Sequence, residues 1–216
     1  MQWHDEIIGW MATLLLLSGF FTVMLRRFQN VLTCYQLQSL ALAIATAVMG
    51  AKLDETHLYT VAGISFLLKV VIIPIWVWSF LEKLPAKMES KTVFGPAGSL
   101  FAAGGLLLFS HIASETALPP GSDKIDDLTI TLTLLLVPLI LLVTRRLAVT
   151  QMMGILFMEN AVTAAGILLT DGMPIVIELG IFLDILIGIL VMGILVFRIQ
   201  SAFDTIDTEE MKTLQG

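Results

Sequence analysis

Little in this chain is suited to bond-making chemistry. A single cysteine, Cys34, excludes an internal disulfide and any multi-cysteine metal cluster. The three histidines, His4, His57 and His111, fall at span ends or in loops. No apolar stretch therefore carries the histidine pair of a haem- or quinone-binding cytochrome. No phosphate-cradling glycine loop, nucleophile elbow or zinc motif occurs. Charge is scarce too: 14% of residues are charged and the net charge is −6, without the basic footprint that nucleic acid requires. The N-terminus, MQWHDEIIGW, lacks the basic start and small-residue cleavage site of a signal peptide and reads as a retained helix. These absences predict no catalytic residue, no metal ligands, no cofactor in this chain and no nucleic-acid partner. The chain is not expected to be an enzyme by itself.

What is present is apolar. The chain is 57% hydrophobic, with a mean hydropathy of +0.91, well to the membrane side of soluble domains. A helix needs roughly 20 apolar residues to cross a bilayer core of ~30 Å. Seven stretches meet or approach that length: 6–24, 31–49, 58–80, 94–112, 128–143, 149–169 and 174–197. The fifth is short, interrupted by Pro138 and extended into 125–127. RRFQN, AKLDET, EKLPAKMESK, HIASETALPPGSDKIDD, TRR and TDGMP separate them. The fold class is all-α, a polytopic membrane protein of seven transmembrane helices.

Short-loop basic residues set direction. Alternating the loops puts Arg26, Arg27, Lys83, Lys87, Lys91, Arg145, Arg146, Arg198 and Lys212 on one side, and Lys52 and Lys124 on the other. Nine against two predicts the N-terminus outside and a cytoplasmic C-terminal tail. Trp3, Trp10, Trp76 and Trp78 lie near span ends, as interfacial anchors do. Residues 14–27, LLLLSGFFTVMLRR, are similar to 133–146, TLLLVPLILLVTRR. Each is followed by a helix with polar groups, a short acidic loop and a helix bearing GISFLLK (63–69) or GIFLD (180–184). Two three-helix copies in one orientation need an odd linker helix, so the pattern reads as a 3+1+3 parallel pseudo-repeat. The parts are 1–82, a linker 83–127, and 128–216 with the tail.

Four ionisable groups lie within spans: Lys69, Glu159, Glu178 and Asp184. Each costs about 2.5–3.5 kcal/mol or more at a helix centre, which marks it as a functional candidate. Lys69 and Glu159 are the middle residues of spans three and six, and Asp184 lies within about two residues of the middle of span seven, or ~3 Å along the axis. The three share one plane at mid-depth. A Lys–carboxylate lock between helices is one reading. The other is a lateral proton relay, because desolvation pulls each group toward its neutral form. Glu178 lies a turn or so inside the outer end of span seven, as an entrance or exit, or as a helix-start carboxylate favoured by the dipole. Pro74 leaves the carbonyl of residue 70 without an N–H and loosens the helix beside Lys69, giving either a packing kink or a hydrated stop. Gln36, Gln38 and Ser39 in span two, with Asn160 beside Glu159, form a secondary polar set. It either joins helices or lines a wet half-channel.

QLQSLALA (36–43), LLKVVIIPI (67–75), KLPAKMESKTVFGPA (83–97), MGILFMEN (153–160) and IELGIFLDILIGILVMGI (177–194) together resemble hydrogenase-4 component E. That family supplies a membrane subunit to formate hydrogenlyase-type and other group 4 nickel–iron hydrogenase complexes. The C-terminal third is also similar to the K-type subunit of respiratory complex I and the C-type subunit of Mrp antiporters, with Arg145–Arg146 as the loop pair and Asp184 as the third-helix carboxylate. Aligned on the arginines, the relatives' second-helix glutamate falls at Leu156, one turn from Glu159. Asp184 stands where they use glutamate, and Ala161 follows MEN where component E has glycine. The resemblance implies a non-catalytic subunit in the cell inner membrane, with a lateral proton path through Lys69, Glu159 and Asp184. Its implied partners are antiporter-like membrane subunits, a redox-anchor membrane subunit and peripheral hydrogenase subunits that hold nickel–iron (NiFe) and iron–sulfur clusters. The alternatives are an Mrp-type cation/proton antiporter component without a redox module, and a purely structural membrane-arm adaptor.

Overall fold

The computed structural model describes residues 2–81, 95–145, 148–170 and 188. Its described elements are helical: α1 (Gln2–Met24), α2 (Phe28–Leu53), α3 (Thr56–Ser65), a π-helix (Phe66–Ile72), α4 (Ile73–Leu81), α5 (Pro96–Ala117), α6 (Ile125–Thr144) and α7 (Ala148–Leu168). The run from α3 through α4 is one span. Six helices are thus long and apolar enough to cross a membrane, and the protein is an all-α, multi-pass membrane protein. The seventh stretch, with Glu178 and Asp184, lies outside the described residues, as do most of the KLP loop, Arg146 and the C-terminal tail.

The helix ends follow local chemistry. Asp54 takes the left-handed conformation (φ 57°) that ends α2, and both its N–H and that of Glu55 reach back to the Gly50 carbonyl. A β-carbon on Gly50 would lie 3.1 Å from that of Leu58, so α2 and α3 meet at glycine contact distance. Proline at the first position opens α5 behind Gly95, while Asp126 and Asp127 favour the start of α6.

Two expectations need correction. The fourth span does not stop near residue 112: α5 runs to Ala117, so His111 is a helical residue, 3.5 Å from Glu115. Ser110, Ser114 and Thr116 bond the carbonyls four residues back, which lets this polar segment stay helical until Pro119 forces Leu118 extended. Nor does Pro138 interrupt the fifth span. The α6 helix continues through it, packed on α7 where Gly154 lies so close that a β-carbon would be 3.0 Å from Leu142. The extension of that span into 125–127 is observed.

α1 and α2 pack as a pair, as do α6 and α7; α2 also meets α7, α1 meets α6, and α5 lies against α6 and α1. Chain alternation puts Arg26, Arg27 and Arg145 at one end of this bundle and Lys52 and Lys124 at the other. The half toward the lysine end is filled by Ile8, Ala12, Leu42, Ala45, Met49, Leu58, Ala164 and Ile167. Outward faces are apolar, and the four tryptophans are all exposed there.

Candidate functional site: a buried lysine at mid-depth

Lys69 lies in the middle of the π-helix and has no exposed surface. Seven residues is long for this widened form, which is often found at functional sites. Pro74 accounts for it. Its ring would clash with the Val70 carbonyl in a regular helix, and it has no N–H to offer that carbonyl. The turns before it open, with Ile73 N–H bonding Leu68 five residues back. Val70 O accepts instead from Gln36 Nε2 on α2, at 3.3 Å. The sequence reading left a kink or a hydrated stop open at Pro74; a side-chain amide from the neighbouring helix occupies that carbonyl.

The Lys69 ammonium donates to Glu159 Oε1 at 2.7 Å, to Asn160 Oδ1 at 3.0 Å and to Thr163 Oγ1 at 3.5 Å. Glu159 is 3% exposed, so both charges lie away from water. All three acceptors come from one turn of α7. From there a second chain of bonds crosses the bundle. Asn160 Nδ2 donates to Gln38 Oε1 at 3.1 Å and to Ser39 Oγ at 3.2 Å, and Gln38 Nε2 donates to Leu15 O at 3.2 Å. One polar network therefore joins α1, α2, the π-helix and α7. Breaking a buried ion pair on one side strands the other charge, at about 3–5 kcal/mol.

Of the residues singled out in the sequence, the structure brings Lys69, Glu159, Asn160, Gln38 and Ser39 together, and ties Gln36 to the Val70 carbonyl four residues before Pro74. Glu178 and Asp184 cannot be placed, lying outside the described residues. Gln36, Gln38 and Ser39 of span two bond groups on neighbouring helices. Thr163 was overlooked, although it stands four residues from Glu159, on the same helix face.

Toward the lysine end the network is roofed by apolar side chains. A cavity of about 10 Å³ there is lined by Ile8, Ala12, Leu15, Leu42, Ala164 and Ile167 among others. So small and apolar a space stays dry. Buried hydroxyls lie in both halves: Thr46, Ser110, Ser114, Thr129 and Thr131 toward the lysine end, and Ser18, Thr22, Thr144 and Thr150 toward the arginine end. Tyr35 packs edge-on to Phe157 there, with ring centroids 5.7 Å apart. Arg145, read in the sequence only as a loop charge, is buried and donates to Val23 O and Leu25 O at 2.9 and 2.7 Å. Burial, with the charge of Arg26 adding, lowers its pKa from the ordinary value; a guanidinium nevertheless stays protonated. At the opposite end Lys124 Nζ donates to Leu168 O at 2.8 Å, a cation on a helix C-terminus, and Lys52 pairs with Asp5 at 2.7 Å.

No family model matches the chain. No solved structure matches it either. Among curated proteins it is 26% identical to hydrogenase-4 component E of Escherichia coli strain K12 over 211 residues, covering 97% of this chain and 98% of that protein. The Shigella flexneri hydrogenase-4 component E matches to the same extent. The Mycobacterium tuberculosis protein Rv0085, described as uncharacterized, is 26% identical over 213 residues, 97% of this chain and 96% of its own length. The resemblance carried by the QLQS, KLP and MEN motifs thus extends over nearly the whole of both chains, and the chain is similar throughout to hydrogenase-4 component E.

Proposed function

We propose that this chain is a non-catalytic integral membrane subunit of a complex I-like, membrane-bound nickel–iron hydrogenase, and that Lys69 and Glu159 exchange protons within a lateral path driven by electron transfer in partner subunits. The observation that carries the reading is the 2.7 Å contact between a lysine and a glutamate, both buried at the middle of their spans. Charge-capable groups in that position are costly and are characteristic of relays. The whole-length similarity to a hydrogenase component supplies the complex. In this reading Asp184 continues the path and Glu178 marks its edge. The N-terminus is outside and the tail cytoplasmic, in the cell inner membrane. Seven helices form the 3+1+3 arrangement, with antiporter-like and redox-anchor subunits as neighbours. Any nickel–iron and iron–sulfur clusters belong to the partners.

The test is Glu159→Gln in the intact complex, reconstituted in vesicles. Glutamine keeps the size and an acceptor oxygen for Lys69 but cannot take the proton. Proton translocation should fall while electron transfer and recovered complex stay near the parent level; undiminished translocation would refute the relay. A second reading, a structural adaptor, is favoured by the way the same bonds tie α1, α2, the π-helix and α7 together. It predicts lower yield of complex rather than lower coupling.

A further inference from the structure

The amides next to Lys69 have a direction that the backbone imposes. Gln38 Nε2 donates to Leu15 O, which also accepts from Ser18 Oγ at 2.8 Å. A carbonyl can only accept, so the NH₂ end of Gln38 must face α1. Its Oε1 then faces α7, where it receives Asn160 Nδ2. That nitrogen also donates to Ser39 Oγ, and only Oδ1 of Asn160 is left for Lys69. In isolation an amide turns end for end at little cost. Here, turning Asn160 would set its NH₂ group against the ammonium, and turning Gln38 would set two carbonyls against each other. Amides also neither gain nor lose protons over the ordinary pH range. The chain can orient Lys69 but cannot exchange with it, which leaves Glu159 as the titratable group among the bonded neighbours described.

We propose that Gln38 and Asn160 are positioning residues, a one-way amide chain anchored on the Leu15 carbonyl that keeps the Lys69 ammonium aimed at Glu159. This rests on reading Lys69 and Glu159 as a proton-exchanging pair. The experiment uses the intact complex in vesicles, with proton translocation and electron transfer measured together. Gln38→Met keeps the volume but removes donor and acceptor, freeing Asn160 to turn. Translocation should fall about tenfold at unchanged electron transfer, the scale of one charge-assisted hydrogen bond. Gln38→Glu in its neutral form keeps one O–H donor for Leu15 and one carbonyl for Asn160, and should restore translocation to near the parent value. A packing role predicts the reverse order, because methionine suits an apolar helix better than glutamate does. If Gln38→Met complexes are not recovered, Asn160→Leu, which deletes the acceptor on Lys69, takes their place with the same expected loss. Equal behaviour of the Gln38 variants, or the reverse order, overturns the proposal. Glu159→Gln measured alongside keeps the two ideas apart. Intact translocation there removes the pair's role itself, whereas loss there with both Gln38 variants unaffected removes only the amide chain.

Discussion

A lysine without exposed surface is held by what its donors meet, and among the described residues Lys69 meets Glu159, Asn160 and Thr163. Lys69→Met deletes all three contacts and leaves a buried carboxylate with its cation gone. The stability loss should be about 3–5 kcal/mol, read as reduced recovery of the complex and a lower unfolding temperature in detergent. Combining it with Glu159→Leu should recover much of that stability, since apolar replacement of both members is often neutral. Translocation should remain low in the double variant. A pure lock predicts that both recover together. These two residues were legible in the sequence because charge in an apolar run is costly and their depth can be counted. That they touch was not, since 90 residues separate them and no local pattern encodes the packing of the third span on α7.

At the scale of the element, the third span is a regular helix on both sides of a seven-residue widened segment. Sequence periodicity does not show a π-helix; only Pro74 hinted at one, and it did not reveal that Gln36 would serve the Val70 carbonyl. Gln36→Leu should strand that carbonyl, at a cost of about 1–3 kcal/mol. Pro74→Ala restores an N–H for it. In the Pro74→Ala background Gln36→Leu should therefore become nearly harmless, a non-additivity that a double-mutant cycle on thermal stability measures directly. Additive losses would show that Gln36 acts elsewhere. Pro74→Ala should also return the widened turns to regular helix. That would swing Lys69 by up to roughly one residue's rotation, about 100°, away from Glu159.

At the scale of the whole molecule, the described bundle has an apolar core toward its lysine end. Ile8, Ala12, Leu42, Ala45 and Ile167 fill it, while buried hydroxyls lie in both halves of the bundle. Ala164, in the wall of the small dry cavity, reports on that core. With Cys34 replaced by serine, Ala164→Cys should resist a membrane-impermeant maleimide applied from either side of sealed vesicles. Labelling would reveal a water path that the packing excludes. Hydropathy alone was enough to find the six described spans. The composition of that core was not readable, because it depends on which face of each helix turns inward, and these apolar sequences show little periodicity.

The Lys69–Glu159 contact also bears on biosynthesis. The third span emerges from the ribosome 90 residues before the carboxylate that will neutralise its lysine. An insertion machine that handles helices in order meets a segment carrying a lone cation, which costs about 2.5–3.5 kcal/mol at the bilayer centre. The apolar residues of the span outweigh that cost, but its lysine meets Glu159 only after α7 is made. For this span, membrane integration and completion of the buried contact with Glu159 are separated by the synthesis of the intervening helices.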